Sequence, residues 1–212
     1  MIFAPLVHRY LARQFARPRG VAGRWIFGAW LDRTSQGMNA LALRLLDIGS
    51  HDRVLEVGFG GGGLFGAILA ARPAAAIGVD LSEEMVARAC RRFRREVAEG
   101  RAQILLGSAE RLPVKDGAVD KACSLNSIYF WTDPAAAMEE LARVLRPGGA
   151  LLLGFEAPET LRAWPGHRYG FTVYDPVEVV RLAANAGFGN AEVHQGLEPK
   201  FGKIFCVKVE RL

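Results

Sequence analysis

Two periods of hydrophobic and polar positions alternate along the chain from Arg53 onward. Val54–Val57 is a short β-branched and apolar run that reads as a buried strand, and Leu64–Ala71 resumes an apolar pattern at helical spacing. Ala76–Val79 predicts a second strand and Ser82 to about Glu99 a helix; Gln103–Leu106 and Ala118–Leu125 predict the third and fourth strands. A helix over Pro134–Leu145 leads to a fifth strand, Ala150–Phe155. An irregular, aromatic-rich segment follows, then a helix at Pro176–Ala186 and two closing strands, Ala191–Gln195 and Ile204–Val209. Such alternation predicts an α/β fold: a mostly parallel sheet with helices on both faces.

Ahead of this pattern, Phe3, Val7, Tyr10, Leu11 and Phe15 recur at helical spacing, with His8, Arg9, Arg13 and Arg17 on other faces, until Pro18-Arg19-Gly20 interrupts. A second helical stretch runs from about Trp30 to Leu46. We therefore divide the chain into an N-terminal basic helical extension, residues 1–50, and a main domain, 51–212.

Charge sharpens that division. Of the 212 residues, 27 are Lys or Arg and 22 are Asp or Glu, a net charge of +5. Before His51 stand seven arginines and two aspartates, so the excess belongs to the extension and the main domain is balanced. Such a segment suits a solvated helix face, or a peripheral contact with membrane or lipid. Half the residues are hydrophobic, yet no run reaches the ~18 uncharged apolar residues of a membrane span. Cys90, Cys123 and Cys206 are isolated, which points to reduced thiols in a cytoplasmic protein and to no metal site.

The candidate chemistry begins where the first strand breaks. Glu56-Val57-Gly58-Phe59-Gly60-Gly61-Gly62-Gly63 places an acid near the strand end and five glycines in six positions. The glycines let the backbone turn sharply beside a ligand, and the helix they open points free N–H groups at it. Gly58-x-Gly60-x-x-Gly63 fits a dinucleotide loop, and Gly58-x-Gly60-x-Gly62 fits a loop for S-adenosylmethionine. Asp80, at the second strand's tip, suits ribose hydroxyls in either case. Glu56 separates the readings: a carboxylate is a poor neighbour for pyrophosphate and a good one for an ammonium and a sulfonium. A nucleotide-dependent oxidoreductase, and a cofactor-binding module without turnover, remain the alternatives.

Four stretches in this order, VLEVGFGGGG (54–63), GVDLSEEMV (78–86), GSAERLPVKDGAVDKACSLNSIYFW (107–131) and LRPGGALLL (145–153), resemble the class I S-adenosylmethionine-dependent methyltransferases. The branch they are similar to is the small-molecule one of the ubiquinone/menaquinone C-methyltransferases. The resemblance implies a Rossmann-like, doubly wound, seven-stranded sheet with an antiparallel closing strand and S-adenosylmethionine as cofactor. It also implies that Gly58, Gly60 and Gly62 form the floor under the methionine end, with Glu56 near the ammonium. Asp80 would then bind the ribose, Leu81 and Met85 flank the adenosine, and Ala109 meet the adenine through its backbone. Ser108 stands where many relatives carry Asp, so the bond to the adenine amino group weakens or moves to Glu110. Asn126 and Ser127 would lie beside the methionine moiety and the substrate.

A sulfonium is already a strong methyl donor, so the protein has chiefly to align the reactants and exclude water. The expected acceptor wall is Asn126–Trp131, reinforced by Trp164, His167, Arg168, Tyr169, Phe171 and Tyr174, which favours a small aromatic or lipid-like molecule. His167 and Tyr129 are the candidate proton acceptors. A lid carrying Trp25, Phe27 and Trp30 would close over them. Nucleic acid is disfavoured as substrate: no N/D-P-P-F/Y motif is present, and Cys123 lacks the Pro-Cys context of pyrimidine C5 enzymes.

Overall fold

Strands β1 (Arg53–Val57), β2 (Ala75–Asp80), β3 (Ala102–Leu106), β4 (Val119–Leu125), β5 (Leu145–Glu156), β6 (Phe188–Glu198) and β7 (Gly202–Arg211) form one sheet in the order β3-β2-β1-β4-β5-β7-β6. The computed structural model describes residues 3–16, 35–199 and 202–212. Neighbours from β3 to β5 pair in parallel, while β7 runs antiparallel to both β5 and β6. The strand order reverses between β1 and β4, and in open α/β sheets the crevice at such a point, beyond the strands' carboxyl ends, is where ligands bind.

The helices follow the sequence with local signals that explain their ends. α1 (Phe3–Ala16) and α2 (Gln36–Leu46) precede the sheet; α3 (Gly63–Ala70), α4 (Glu83–Arg92), α5 (Arg94–Ala98), α6 (Pro134–Val144), α7 (Pro158–Ala163) and α8 (Pro176–Asn185) alternate with its strands. Ser82 caps α4 by accepting the Met85 N–H, and Asp133 caps α6 by accepting those of Ala135 and Ala136. Asp175 and Glu178 close a reciprocal capping box on α8. Pro134, Pro158 and Pro176 open their helices, where no N–H is missed.

Several expectations are refined. The single helix predicted from Ser82 to Glu99 breaks at Phe93, which turns its ring under the glycine loop and sits edge-on to Phe65 at 5.3 Å. β5 begins at Leu145, and Arg146–Gly149 loop out between paired ends, Gly148 adopting a positive φ of 73°. The irregular aromatic segment holds α7 and a 3-10 turn, Pro165–Arg168.

At the N-terminus, Val7 and Tyr10 of the expected apolar stripe are exposed. α1 instead meets the domain through His8, whose ring lies edge-on to Trp164, through Leu11 at the cleft, and through buried Ala12. Met38, Leu41, Ala42 and Leu46 of α2 are buried in one cluster with Val54, Leu152 and Cys206 of the sheet. No described helix is long and apolar enough to cross a membrane. Trp25, Phe27 and Trp30, the expected lid, lie outside the described residues, as do Arg17, Arg19, Arg24 and Arg33.

Candidate active site

Beyond the carboxyl ends of β1, β2, β4 and β5 opens a cleft of about 1320 Å³. Pockets for one drug-sized molecule measure roughly 300–1,000 Å³, so this one has space for a nucleoside-sized cofactor and an acceptor together.

The glycine loop forms its floor. Gly58, Gly60 and Gly62 all take positive φ values, 75°, 50° and 81°, which side-chain-bearing residues rarely adopt. A Cβ on Gly58 would fall 2.8 Å from the Cβ of Ser127. The loop is tied to its surroundings on three sides. Gly58 N–H donates to the Val79 carbonyl at 2.7 Å, Gly60 N–H to Asp80 Oδ2 at 2.9 Å, and Arg92 Nη1 to the Gly61 carbonyl at 2.8 Å. Arg92 therefore braces the loop from behind. Gly62 supports the floor from below: it caps α3, packs on Phe93, and is not among the residues facing the cleft.

Acids ring this floor. Glu56, 4% exposed, stands in register between Gly78 of β2 and Cys123 of β4. Asp80 is buried, and its second carboxylate oxygen accepts the Ser82 N–H at 2.9 Å. Burial raises its pKa, against the backbone donors that favour its charged form. Leu81 and Met85 flank it at the cleft, Leu81 half exposed and Met85 wholly buried. On the next loop, Ser108, Ala109 and Glu110 also line the cleft. Glu110 Oε1 accepts the Thr132 N–H at 2.8 Å, which leaves its other oxygen for a ligand on that side.

At the end of β4, Asn126 takes a positive φ of 54°, a conformation Asn tolerates better than most residues. Its N–H donates to the Gly154 carbonyl at 2.8 Å. Its Oδ1 accepts the Tyr129 hydroxyl at 3.1 Å. Ser124 donates to the Val57 carbonyl at 2.8 Å and contacts the Ser127 hydroxyl, so both serines hold the seam between β1 and β4 beneath the cleft.

The two candidate proton acceptors sit differently. Tyr129 lines the cleft, but its oxygen accepts the Glu156 N–H, and burial together with the Glu156 charge pushes its pKa well above the usual value. It is thereby suited to donate a hydrogen bond and ill suited to take a proton. His167 lies in the Pro165–Arg168 turn with Nδ1 2.6 Å from the Trp164 carbonyl oxygen, outside the cleft-lining residues. Arg168, Tyr169 and Tyr174 are outside them too, because that turn points Trp164 and Phe171 inward instead. The aromatic wall is a run of edge-on rings: Phe130 to Phe171 at 4.5 Å and Trp164 to Phe171 at 5.4 Å.

Sequence reasoning did not single out Glu156 and Glu198, which also face the cleft. The signal for Glu156 was present: like Glu56 and Asp80, it is an acid closing an apolar strand. Six carboxylates (Glu56, Asp80, Glu110, Asp133, Glu156 and Glu198) and no Lys, Arg or His stand among the described cleft-lining residues.

Comparison with known proteins agrees with this geometry. The family described as "Methyltransferase domain" matches residues 55–153. The chain is 30% identical over 135 residues to the uncharacterized methyltransferase YdaC of Bacillus subtilis, covering 63% of this chain and 72% of that protein. It is 34% identical over 142 residues to erythromycin 3''-O-methyltransferase of Saccharopolyspora erythraea, 66% of this chain and 46% of that one. Among solved structures, a SAM-dependent methyltransferase from Aquifex aeolicus superposes with a TM-score of 0.71 at 21% identity, over 87% of this chain and 97% of that chain. The chain spans about half the length, or less, of most of the curated relatives it matches.

Proposed function

We propose, from the premise that this chain belongs to the class I S-adenosylmethionine-dependent methyltransferase family, that its cleft moves a methyl group to a small acceptor with an aromatic or apolar body. One observation carries the reading: a glycine-floored cleft with six acids and no basic side chain among its described lining residues. The carboxylates of Glu56 and Asp80 disfavour a pyrophosphate there, whereas they favour a sulfonium and an ammonium. A nucleotide-dependent oxidoreductase is correspondingly disfavoured.

When bound, S-adenosylmethionine supplies a methyl group already activated on a positive sulfur. In this reading Gly58 and Gly60 admit the methionine end, Glu56 faces its ammonium, and Asp80 accepts the ribose hydroxyls. Leu81, Met85 and Ala109 enclose the base, with Ser108 and Glu110 at its polar edge. Asn126 and Ser127 stand between donor and acceptor. Phe130, Trp164 and Phe171 hold the acceptor's apolar body and keep water out, which strengthens the electrostatic contacts inside. α1, with Leu11 at the cleft, belongs to the roof. Tyr129 positions Asn126 and the end of β5. His167 supports the turn that presents Trp164.

Calorimetry with S-adenosylmethionine, its demethylated product and NAD tests the cofactor. Incubation of methyl-labelled cofactor with a metabolite and lipid extract tests the transfer. Micromolar binding of the product, with label passing to a small molecule, is the expected result. Tight NAD binding with no grip on S-adenosylhomocysteine would overturn the reading.

A further inference from the structure

Glu156 and Glu198, both at the cleft, have no part in the reading above. Glu156 closes β5 and Glu198 closes β6, with β7 between them. Glu156 is in register with Ile204 and Ile204 with Gly196; Glu198 lies two residues beyond Gly196, opposite Gly202. Residues in register, and residues two apart, share a face of a sheet. Both carboxylates therefore leave the same face, beneath the first turn of α2. Between them on β7 stand Ile204 and Gly202, of which only Ile204 puts a side chain on that face, so the two carboxylates reach the cleft on either side of it.

Their surroundings are unequal. Glu198 is 6% exposed and its Oε2 accepts the Met38 N–H at 3.1 Å. It thus serves the start of α2, where Ser35 provides no side-chain cap, and the helix N-terminus favours its negative charge. Glu156 receives no side-chain hydrogen bond from any described residue, and burial with the neighbouring Glu198 charge raises its pKa to about 7. Lys203 of β7 pairs with Glu159, at 3.1 Å, and the Tyr129 hydroxyl is engaged with the Glu156 backbone. Among the described residues no third His, Cys, Asp or Glu joins the pair to make a metal site.

Two carboxylates facing an apolar chamber call for a ligand that brings a positive charge and several donors. A neutral hydroxyl has one donor and leaves a charge uncompensated. An ammonium has up to three donors, enough to bond both carboxylates, and its positive charge relieves the repulsion between them; the adjoining ring wall suits an aryl or alkyl chain and a cation alike. We propose that Glu156 and Glu198 seat a protonated amine on the methyl acceptor, and that Glu156 takes one of its protons before transfer. This rests on the methyltransferase reading and names the acceptor class within it.

In the step, an N–H bond breaks, its electron pair stays on nitrogen, and a Glu156 O–H bond forms. The freed nitrogen pair then bonds the methyl carbon as the carbon–sulfur pair returns to sulfur. An N-methylammonium leaves, and Glu156 gives its proton to water. Glu198, anchored to α2, stays ionised and is the positioning partner of the pair.

The test is calorimetry on the full chain loaded with S-adenosylhomocysteine. The probes are 2-phenylethylamine, 3-phenylpropylamine and tryptamine, each against its matched alcohol. We expect at least one amine to saturate the site below about 1 mM, at least tenfold more tightly than its alcohol. E156Q should weaken that amine at least tenfold while leaving S-adenosylhomocysteine affinity unchanged. E198Q, whose amide oxygen can still accept the Met38 N–H, should weaken the amine without loosening the fold. Alcohols that match the amines, an E156Q variant that binds amines as the parent does, or no saturating amine at all would overturn the proposal. Failure to load with S-adenosylhomocysteine would instead sink the methyltransferase reading beneath it.

Discussion

Asp80 and Gly60, twenty residues apart, are joined by a hydrogen bond in which the glycine N–H donates to the carboxylate at 2.9 Å. The other oxygen of the same carboxylate accepts the Ser82 N–H at 2.9 Å. One side chain thus fixes the glycine loop, the tip of β2 and the entry of α4 relative to one another, before any ligand arrives. D80N keeps an acceptor but loses the charge, and its affinity for S-adenosylhomocysteine should fall at least tenfold by calorimetry. D80A leaves both N–H groups without this partner and should also lower stability by about 1–3 kcal/mol in urea unfolding. An unchanged affinity in D80N would remove Asp80 from the cofactor site.

Gly58 allows no side chain. An added Cβ meets Ser127 at 2.8 Å and sits on a backbone with φ of 75°. The left-handed backbone alone costs an alanine about 1–2 kcal/mol. G58A should therefore shift the loop, lower the melting temperature and reduce cofactor affinity more than tenfold. G100A takes a comparable φ of 72° but meets no atom within 4 Å, so it should lose stability alone.

Arg92 holds the Gly61 carbonyl from behind the loop and lies 5.1 Å from the centre of the Phe93 ring. A hydrogen bond from a charged donor contributes about 1.5–3 kcal/mol. R92A should speed amide hydrogen exchange across residues 58–63 and weaken S-adenosylhomocysteine several-fold, with R92K recovering part of both. Unaltered exchange in that segment would show that the loop stands without Arg92.

Glu156 makes the fold sensitive to pH in a defined direction. Its pKa rises from the ordinary 4.5 to about 7 on folding. Between those values the folded chain holds a proton that the unfolded chain has released, so stability falls as pH rises from about 4.5 to about 7. E156Q removes the penalty. At pH 8 it should be the more stable by up to about 3 kcal/mol, a melting temperature higher by roughly 6–12 °C, with the difference vanishing near pH 4.5. A parent that gains stability over that range relative to E156Q would refute the assignment.

Much of the candidate cofactor side was legible because its signals are local. An acid closing a strand, glycines in a turn and an N-cap two residues on are each written within ten consecutive residues, as Glu56, Gly58 and Gly60 are. Periodicity likewise located the seven strands. It failed at Phe93, where a tertiary contact with Phe65 and Gly62 overrides helix propensity. It also failed at Val7 and Tyr10, because an apolar stripe does not say which face meets the domain. His167 illustrates the same limit: a histidine among aromatic residues reads as functional until a backbone carbonyl three residues away is seen to accept its ring.

The sequence by itself determined the alternation of strands and helices, the glycine turn and the acids near the tips of β1 and β2. Those follow from short-range sterics, capping and burial period, which depend only on neighbours along the chain. The tertiary structure alone decided that Glu156 and Glu198, 42 positions apart, face one chamber. Their meeting requires β7 to insert antiparallel between β5 and β6 and α2 to cover that face, a register set by the packed sheet as a whole. The charge they share is therefore a property of the fold, visible only once the strands are laid side by side.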